Sequence, residues 1–310
     1  LNKEEVELIR RCDGKQIIED TLTLPMLIAL GIVRKLKDDE AVEERSISSG
    51  FIEYPNYFAD SIDWSITDHC NYNCLHCFHA ADNTMPKDEM SLERAYTFLD
   101  EVEKCGIRMI RLTGGEPTLY PHLREILFGM QERKIRLKTL ITNGSRLDEG
   151  LLAFIRELFP QAEIMISFDG LGYHDWMRRS PGIEQQTLNA IEMSAKAGFK
   201  VFINTNVNRK NEHVMFDTFR HLVSLGIARM RFIRTSEAPR WLLNEGDNTM
   251  TPEEYYDFSC RFAEEYKEAG INVPVRIWQS IMLNNKTKSF SCFPIKVSCS
   301  KYNENAPICG

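Results

Sequence analysis

Between residues 63 and 269 one pattern repeats in order: a short run rich in β-branched and aromatic residues, then a longer amphipathic stretch of helical period. The expected strands cover 63–67, 109–113, 137–142, 164–168, 201–207 and 229–233, with a last one at 273–277. The expected helices cover 92–104, 123–133, 148–158, 185–197, 214–225 and 252–269. Their ends are well marked. Ser91 is an N-cap, Gly198, Gly226 and Gly270 are stops, and Thr251-Pro252-Glu253-Glu254 reads as a capping box with Pro at the first helical position. A βα series of this kind builds a parallel sheet with right-handed crossovers. The expected class is therefore α/β, as a partial (β/α)6 TIM-like barrel. An open doubly wound sheet is the alternative, although its dinucleotide-binding glycine fingerprint is missing.

The flanks are less regular. Residues 1–58 read as a small helical segment and linker. Val6, Leu8, Ile9 and Cys12 make a stripe, Asp13-Gly14 breaks it, and a second apolar run reaches Val33. The barrel core is expected at 59–234 and a packing helix and strand at 235–283. A cysteine-bearing tail is expected at 284–310, where Asn284 to Ser291 reads as a polar loop.

Charge and cysteine usage narrow the class. The net charge is −7, which gives no reason to expect a nucleic-acid partner. No run approaches the roughly 20 apolar residues of a membrane span, and the opening Leu1–Glu5 is not a signal peptide. Nine cysteines, an odd number with three crowded together, argue against a secreted disulfide scaffold and for a reducing cytoplasm. Cys12, Cys105 and Cys260 stand alone in helical patterns and are expected as small buried hydrophobes.

In either α/β fold, active residues belong in loops at the carboxyl ends of the strands. The polar signals stand there: Asp68 to His79, Gly114-Gly115-Glu116-Pro117, Asn143-Gly144 and Asp169-Gly170. Cys70, Cys74 and Cys77 place three thiols within eight residues, enough to wrap one face of an iron–sulfur cluster. Structural zinc normally takes four ligands, so it would need a distant fourth or one of His69, His76 and His79. A cubane held by three cysteines keeps one iron open to a ligand.

Cys-x3-Cys-x2-Cys at the end of a first strand resembles the signature of the radical S-adenosylmethionine (radical SAM) enzymes. The resemblance runs over about residues 60–233. It implies a [4Fe-4S] cluster on Cys70, Cys74 and Cys77, with S-adenosylmethionine (AdoMet) on the open iron. The cluster's electron would cleave AdoMet to a 5′-deoxyadenosyl radical, which abstracts hydrogen from a substrate carbon. His76 stands where the family usually has an aromatic near the adenine, with Phe78 just beyond. Gly114, Gly115, Glu116 and Pro117 resemble the motif whose backbone and glutamate hold the methionine amino group. Asn143 matches a third-strand turn position. Ser167 and Asp169 match contacts to the nucleoside or methionine portion, and Arg178 or Arg179 an arginine near the methionine carboxylate. Asn204 or Asn206 would line the cavity. No side chain is marked as the catalytic acid, base or hydrogen donor, although Cys260, Cys292 or Cys299 could donate hydrogen if near the cavity.

The ends extend the resemblance toward the SPASM-type, peptide-modifying branch. The first 36 residues resemble the helical half of a PqqD-like peptide-binding module, without its strands; a simple helical lid is the alternative. Cys292, Cys299 and Cys309 resemble the opening of an auxiliary cluster domain whose remaining cysteines are not in this sequence. They could share in an auxiliary iron–sulfur cluster, bind zinc, or be plain thiols. The implied partners are a ribosomally made precursor peptide or a small molecule, and an electron donor such as flavodoxin or ferredoxin. A monomer is expected. Arg231, Arg234 and Arg240, around the sixth strand's end, are candidates to meet acidic groups of the substrate, against a plain solvated loop.

Overall fold

The expected strands form, and their order decides the architecture. The computed structural model describes residues 59–79, 89–277, 281–285 and 289–292, with residues 8, 9, 11, 12, 18, 23–29, 33 and 35 nearer the N-terminus. The chain divides into two compact units, Leu1–Tyr57 and Phe58–Gly310. In the first, helix α1 covers Leu24–Ala29, and Leu8 and Leu27 are buried. Most of the segment likened to a peptide-binding module, and the polar stretch after it, lie outside the described residues.

The second unit holds one sheet. Its strands are β1 (Ser61–Ser65), β2 (Met109–Thr113), β3 (Arg136–Thr142), β4 (Glu163–Ser167), β5 (Lys200–Val207), β6 (Arg229–Arg234) and β7 (Val275–Ile277). Each pairs in parallel with the next in chain order. A doubly wound sheet reverses its strand order at a switch point; this one never does. With every crossover advancing the same way, right-handed connections put the helices on one face. The sheet is the partial barrel of the α/β class.

Two further strands, β8 (Ile281–Asn284) and β9 (Ser289–Cys292), extend the sheet antiparallel. They correct the reading of Asn284 to Ser291 as a loop throughout. Ser289-Phe290-Ser291 has weak strand propensity, and its strand is made by pairing with β8 (Leu283 opposite Phe290), a tertiary contact that propensity does not carry.

The helices are α2 (Leu92–Lys104), α3 (Leu123–Glu132), α4 (Glu149–Leu158), α5 (His174–Arg178), α6 (Ile183–Lys196), α7 (Met215–Ser224), α8 (Pro239–Glu245) and α9 (Pro252–Ala269). Ser91 caps α2 through the Arg94 N–H, and α9 has the full capping box of Thr251 and Glu254. None of the described helices is long and apolar enough to cross a membrane. Side chains alternate across the sheet. Ile110, Leu112, Ile164, Ile166, Val201, Ile203, Met230 and Phe232 are buried in one core with the helix faces. Phe219, wholly buried on α7, illustrates the scale: truncation to Ala would cost about 3–5 kcal/mol. The alternate positions include the polar or charged Asp63, Arg111, Glu163, Ser167, Asn204 and Arg231 beside the apolar Met165 and Phe202. Cys105 and Cys260 are exposed, against the expectation of burial, and Cys12 is half-buried. Cys105 follows the last turn of α2, and Cys260 lies on the solvent side of α9.

Candidate active site

The loops that leave β1 to β4 meet at one end of the sheet. The loop after β1 carries the three cysteines without regular secondary structure, so tertiary contacts must hold it. Asn71 donates to Ser145 Oγ after β3 at 3.0 Å, and the Leu75 N–H donates to Met177 O on α5 at 2.9 Å. Arg240 of α8 reaches Cys74 O at 3.5 Å. Leu75 also packs with Met177 and Trp241 in a small apolar cluster. These anchors bring Cys70 and Cys74, both buried, and the half-buried Cys77 into one patch with Tyr72 and Ile183.

Burial pushes the Cys70 thiol up to about 11, opposed by the Tyr72 N–H and reinforced by Cys74, Glu116 and Cys77. Burial also raises Cys74, against the lowering effect of Arg178. Metal binding at these thiols must therefore displace protons. Among the described residues no three His, Cys, Asp or Glu side chains converge on a single ion position. Three thiols gathered in one patch are the donor set of a cluster in which each thiolate takes its own iron.

The Gly114-Gly115-Glu116-Pro117 turn packs directly on this loop. The Gly115 N–H donates to Thr67 O and the Glu116 N–H to His69 O, both at 2.7 Å. A Cβ on Gly114 would stand 2.5 Å from Thr67 O, and one on Gly115 would overlap His69 O. The space these glycines clear is thus filled by the chain's own backbone. Glu116 is fully buried. Its Oε1 accepts from the Thr118 N–H and hydroxyl and from the Thr142 hydroxyl, and its Oε2 accepts from the Asn143 N–H at 2.6 Å. Burial raises its pKa, and these four donors oppose the rise. The glutamate side chain ties the β2 turn to the end of β3. Pro117 opens the 3-10 turn Pro117–Leu119 behind it.

Around the patch stand the other candidates. Asn143 is buried, with its amide 3.0 Å from Asn71 Oδ1 and 4.0 Å from the Cys70 sulfur. Ser167 and Asn204 are register partners on β4 and β5. Arg178 and Arg179 separate cleanly. Arg178 is buried, 2.7 Å from Asp169 and 3.6 Å from the Cys74 sulfur, whereas Arg179 is exposed beyond the end of α5. Asp169 is wholly buried and also accepts the Asn206 N–H at 3.0 Å. Burial pushes its pKa up, but Arg178 and the nearby histidines outweigh that and leave it below the usual carboxylate range. His76 is half-buried; burial holds it near 4, so it is neutral at pH 7. Phe78 is 81% exposed, with its ring edge-on to that of its neighbour His79.

Several buried polar atoms lack a hydrogen-bond partner: Asn73 Oδ1, His76 Nδ1, Arg178 Nε and Asn204 Oδ1. Buried polar atoms are nearly always satisfied, so this group fits a polar ligand such as AdoMet. Sequence reasoning missed His174 and Asn211. His174 Nδ1 accepts the Asp169 N–H at 3.2 Å, and Asn211 donates to Asp169 O at 2.8 Å. Neither belongs to a spaced motif, and only the turn after β4 brings His174 back on Asp169.

The family model of the radical SAM superfamily matches residues 64–222. The chain belongs to that superfamily, and the matched region is its catalytic domain. An AdoMet-dependent heme synthase of Methanosarcina barkeri is 31% identical, over 68% of this chain and 60% of that protein. The mycofactocin maturase MftC of Mycobacterium tuberculosis is 24% identical, over 68% of this chain and 59% of that protein. The crystal structure of Streptococcus suis SuiB bound to the precursor peptide SuiA has the same fold, with a TM-score of 0.60 and 14% identity over 89% of this chain and 60% of that one. The chain thus spans about 60% of the length of these relatives. Superfamily membership implies AdoMet and iron–sulfur cofactors.

Proposed function

We propose that Cys70, Cys74 and Cys77 hold a [4Fe-4S] cluster at which AdoMet is reductively cleaved, and that the product radical modifies a ribosomally made peptide. The observation that carries this reading is the gathering of the three thiols in one patch, at the end of the sheet where buried polar atoms stand unpaired. When bound, the reduced cluster supplies the single electron that turns AdoMet into a hydrogen-abstracting 5′-deoxyadenosyl radical. The chain's own residues bind and orient. Asn143, Ser167, Asn204 and Arg178 present polar groups toward AdoMet, with Arg178 also facing the Cys74 thiolate. His76 offers a flat neutral ring to the adenine. The Gly114-Gly115 turn and Glu116 fix the loops on which these groups stand.

A peptide substrate, in the SPASM-type branch, is supported by the fold shared with SuiB, which was crystallised with a precursor peptide. A small-molecule substrate in cofactor biosynthesis is the second reading, favoured by the 31% identity to a heme synthase. A flavodoxin or ferredoxin is the proposed electron donor, and a monomer in the cytoplasm the proposed working form. An auxiliary cluster on Cys292, Cys299 and Cys309 remains a proposal: the Cys292 backbone lies in β9, and Cys299 and Cys309 lie outside the described residues.

The experiment is to reconstitute the protein anaerobically, reduce it, and measure 5′-deoxyadenosine with and without added candidate precursor peptides. Peptide-stimulated cleavage supports the first reading. Cleavage stimulated only by a porphyrin or other small metabolite supports the second. No cleavage under any condition would contradict both.

A further inference from the structure

The face of the sheet away from the helices carries more cations than its carboxylates neutralise. On β4, β5, β6 and β7, Ser167, Asn204, Arg231 and Arg276 stand side by side in register. Beside that row lie Met165, Phe202 and Arg229, also in register, with the Arg229 guanidinium 4.0 Å over the Phe202 ring. Among the described strand residues two carboxylates share the face. Asp63 is taken by a two-pronged pair with Arg111, at 2.5 and 2.6 Å. Glu163 stands beside Lys200 in register, accepts the Thr139 hydroxyl at 3.2 Å, and its charge also supports the Arg229 guanidinium, which leaves Arg231 and Arg276, among the described residues, without a carboxylate. None of the ion pairs formed by the described residues involves Arg229, Arg231 or Arg276. Arg231 Nε is buried without a hydrogen-bond partner.

The crowding is felt at the groups themselves. Burial, and then the charges of Arg276, Arg111 and Arg229, hold the Arg231 guanidinium below its ordinary pKa. Desolvated cations without a counter-charge are costly, and folded proteins pair them or supply a ligand. A guanidinium presents a rigid fork that matches a carboxylate with two parallel bonds. The neighbouring arginines suspected from the sequence are engaged elsewhere: Arg234 donates to Met250 O at 2.7 Å and Arg240 to Cys74 O at 3.5 Å.

We propose that Arg231 and Arg276, with Arg229 beside them, form a receptor for carboxylate groups of the substrate on the face of the sheet away from the helices. The proposal deepens the radical SAM reading, because Arg231 is the register partner of Asn204, one of the residues assigned to AdoMet. It makes the substrate an acid, with Met165 and Phe202 as an apolar floor for the part of the molecule between its carboxylate and the cofactor. An acidic peptide segment and a polycarboxylate metabolite share this chemistry.

The test is calorimetric titration of the anaerobically reconstituted protein with two probes, citrate and a tetraglutamate peptide. Wild type is expected to bind at least one of them. Arg231→Gln/Arg276→Gln should weaken that binding about tenfold or more, and Arg231→Lys, which keeps the charge, should weaken it less. Bound probe should also raise the melting temperature of wild type and not of the double variant. A preference for citrate points to a small polyacid, and a preference for tetraglutamate to a peptide. If the double variant fails to fold, Arg276→Gln alone, at a half-buried position, carries the comparison. No binding of either probe by wild type, or equal binding by wild type and variant, would overturn the proposal. AdoMet cleavage by wild type is measured separately, so failure of the receptor and failure of the radical SAM reading are told apart.

Discussion

Arg178 places one guanidinium nitrogen 2.7 Å from Asp169 Oδ2 and another 3.6 Å from the Cys74 sulfur. The pair is almost wholly buried. One cation thereby links the turn after β4 to the cysteine loop after β1, two segments about a hundred residues apart in sequence.

Removing that cation strands a buried carboxylate. Arg178→Met should destabilise the protein by roughly 3–5 kcal/mol, read as a lower urea midpoint at unchanged slope. The double variant Arg178→Met/Asp169→Asn should recover part of the loss, because it leaves no uncompensated charge. Equal stability of wild type and Arg178→Met would show that the pair contributes nothing.

Glu116 is expected to act on the fold before it acts on a ligand. In Glu116→Gln an amide N–H₂ replaces one acceptor among four donors, so at least one donor loses its partner. The expected cost is about 1.5–3 kcal/mol, seen in denaturant unfolding of the protein without AdoMet. A loss of AdoMet affinity with unchanged stability would instead place the carboxylate against the ligand.

Gly115→Ala should drive the β2 turn off the cysteine loop, since the new Cβ overlaps His69 O and the backbone must shift to make room. The expected result is lower iron incorporation on reconstitution and a lower melting temperature. Full iron loading at wild-type stability would contradict this packing.

His174 gives the pH dependence. Burial, then the charge of Arg178, lowers its pKa to about 3, while Asp169 opposes the shift. Unfolded, the group titrates near ~6.5. Between those values the unfolded chain binds the proton and the folded chain does not, so stability falls as pH falls. The slope from this group is about 1.4 kcal/mol per pH unit below about pH 6.5. His174→Gln should remove that share of the slope between pH 6 and 5, where carboxylates add little. Identical slopes in wild type and variant would mean that the imidazole is protonated in the fold.

What the sequence made legible follows from local chemistry. Capping residues such as Ser91 and Thr251, and the period of their helices, are read without knowledge of the fold, and both caps form. The strand ends were legible because Cys70, Gly114, Asn143 and Asp169 each follow a strand of clear pattern. What was not legible depends on contacts across the chain. Helix α5 is five residues long, too short for any period to show. Strand β9 exists only by pairing with β8. The commitment of Glu116 to Thr142 and Asn143 appears only when β2 and β3 lie side by side. The arginine row needed the parallel register of β5, β6 and β7, because spacing within one strand shows only Arg229 and Arg231.

The most direct test of the central claim is 5′-deoxyadenosine formation by the dithionite-reduced, anaerobically reconstituted protein, wild type against Cys70→Ala/Cys74→Ala/Cys77→Ala. The account predicts AdoMet-dependent product from wild type and none from the triple variant, which also lacks the iron assigned to this site. Product formation that persists in the triple variant would contradict it.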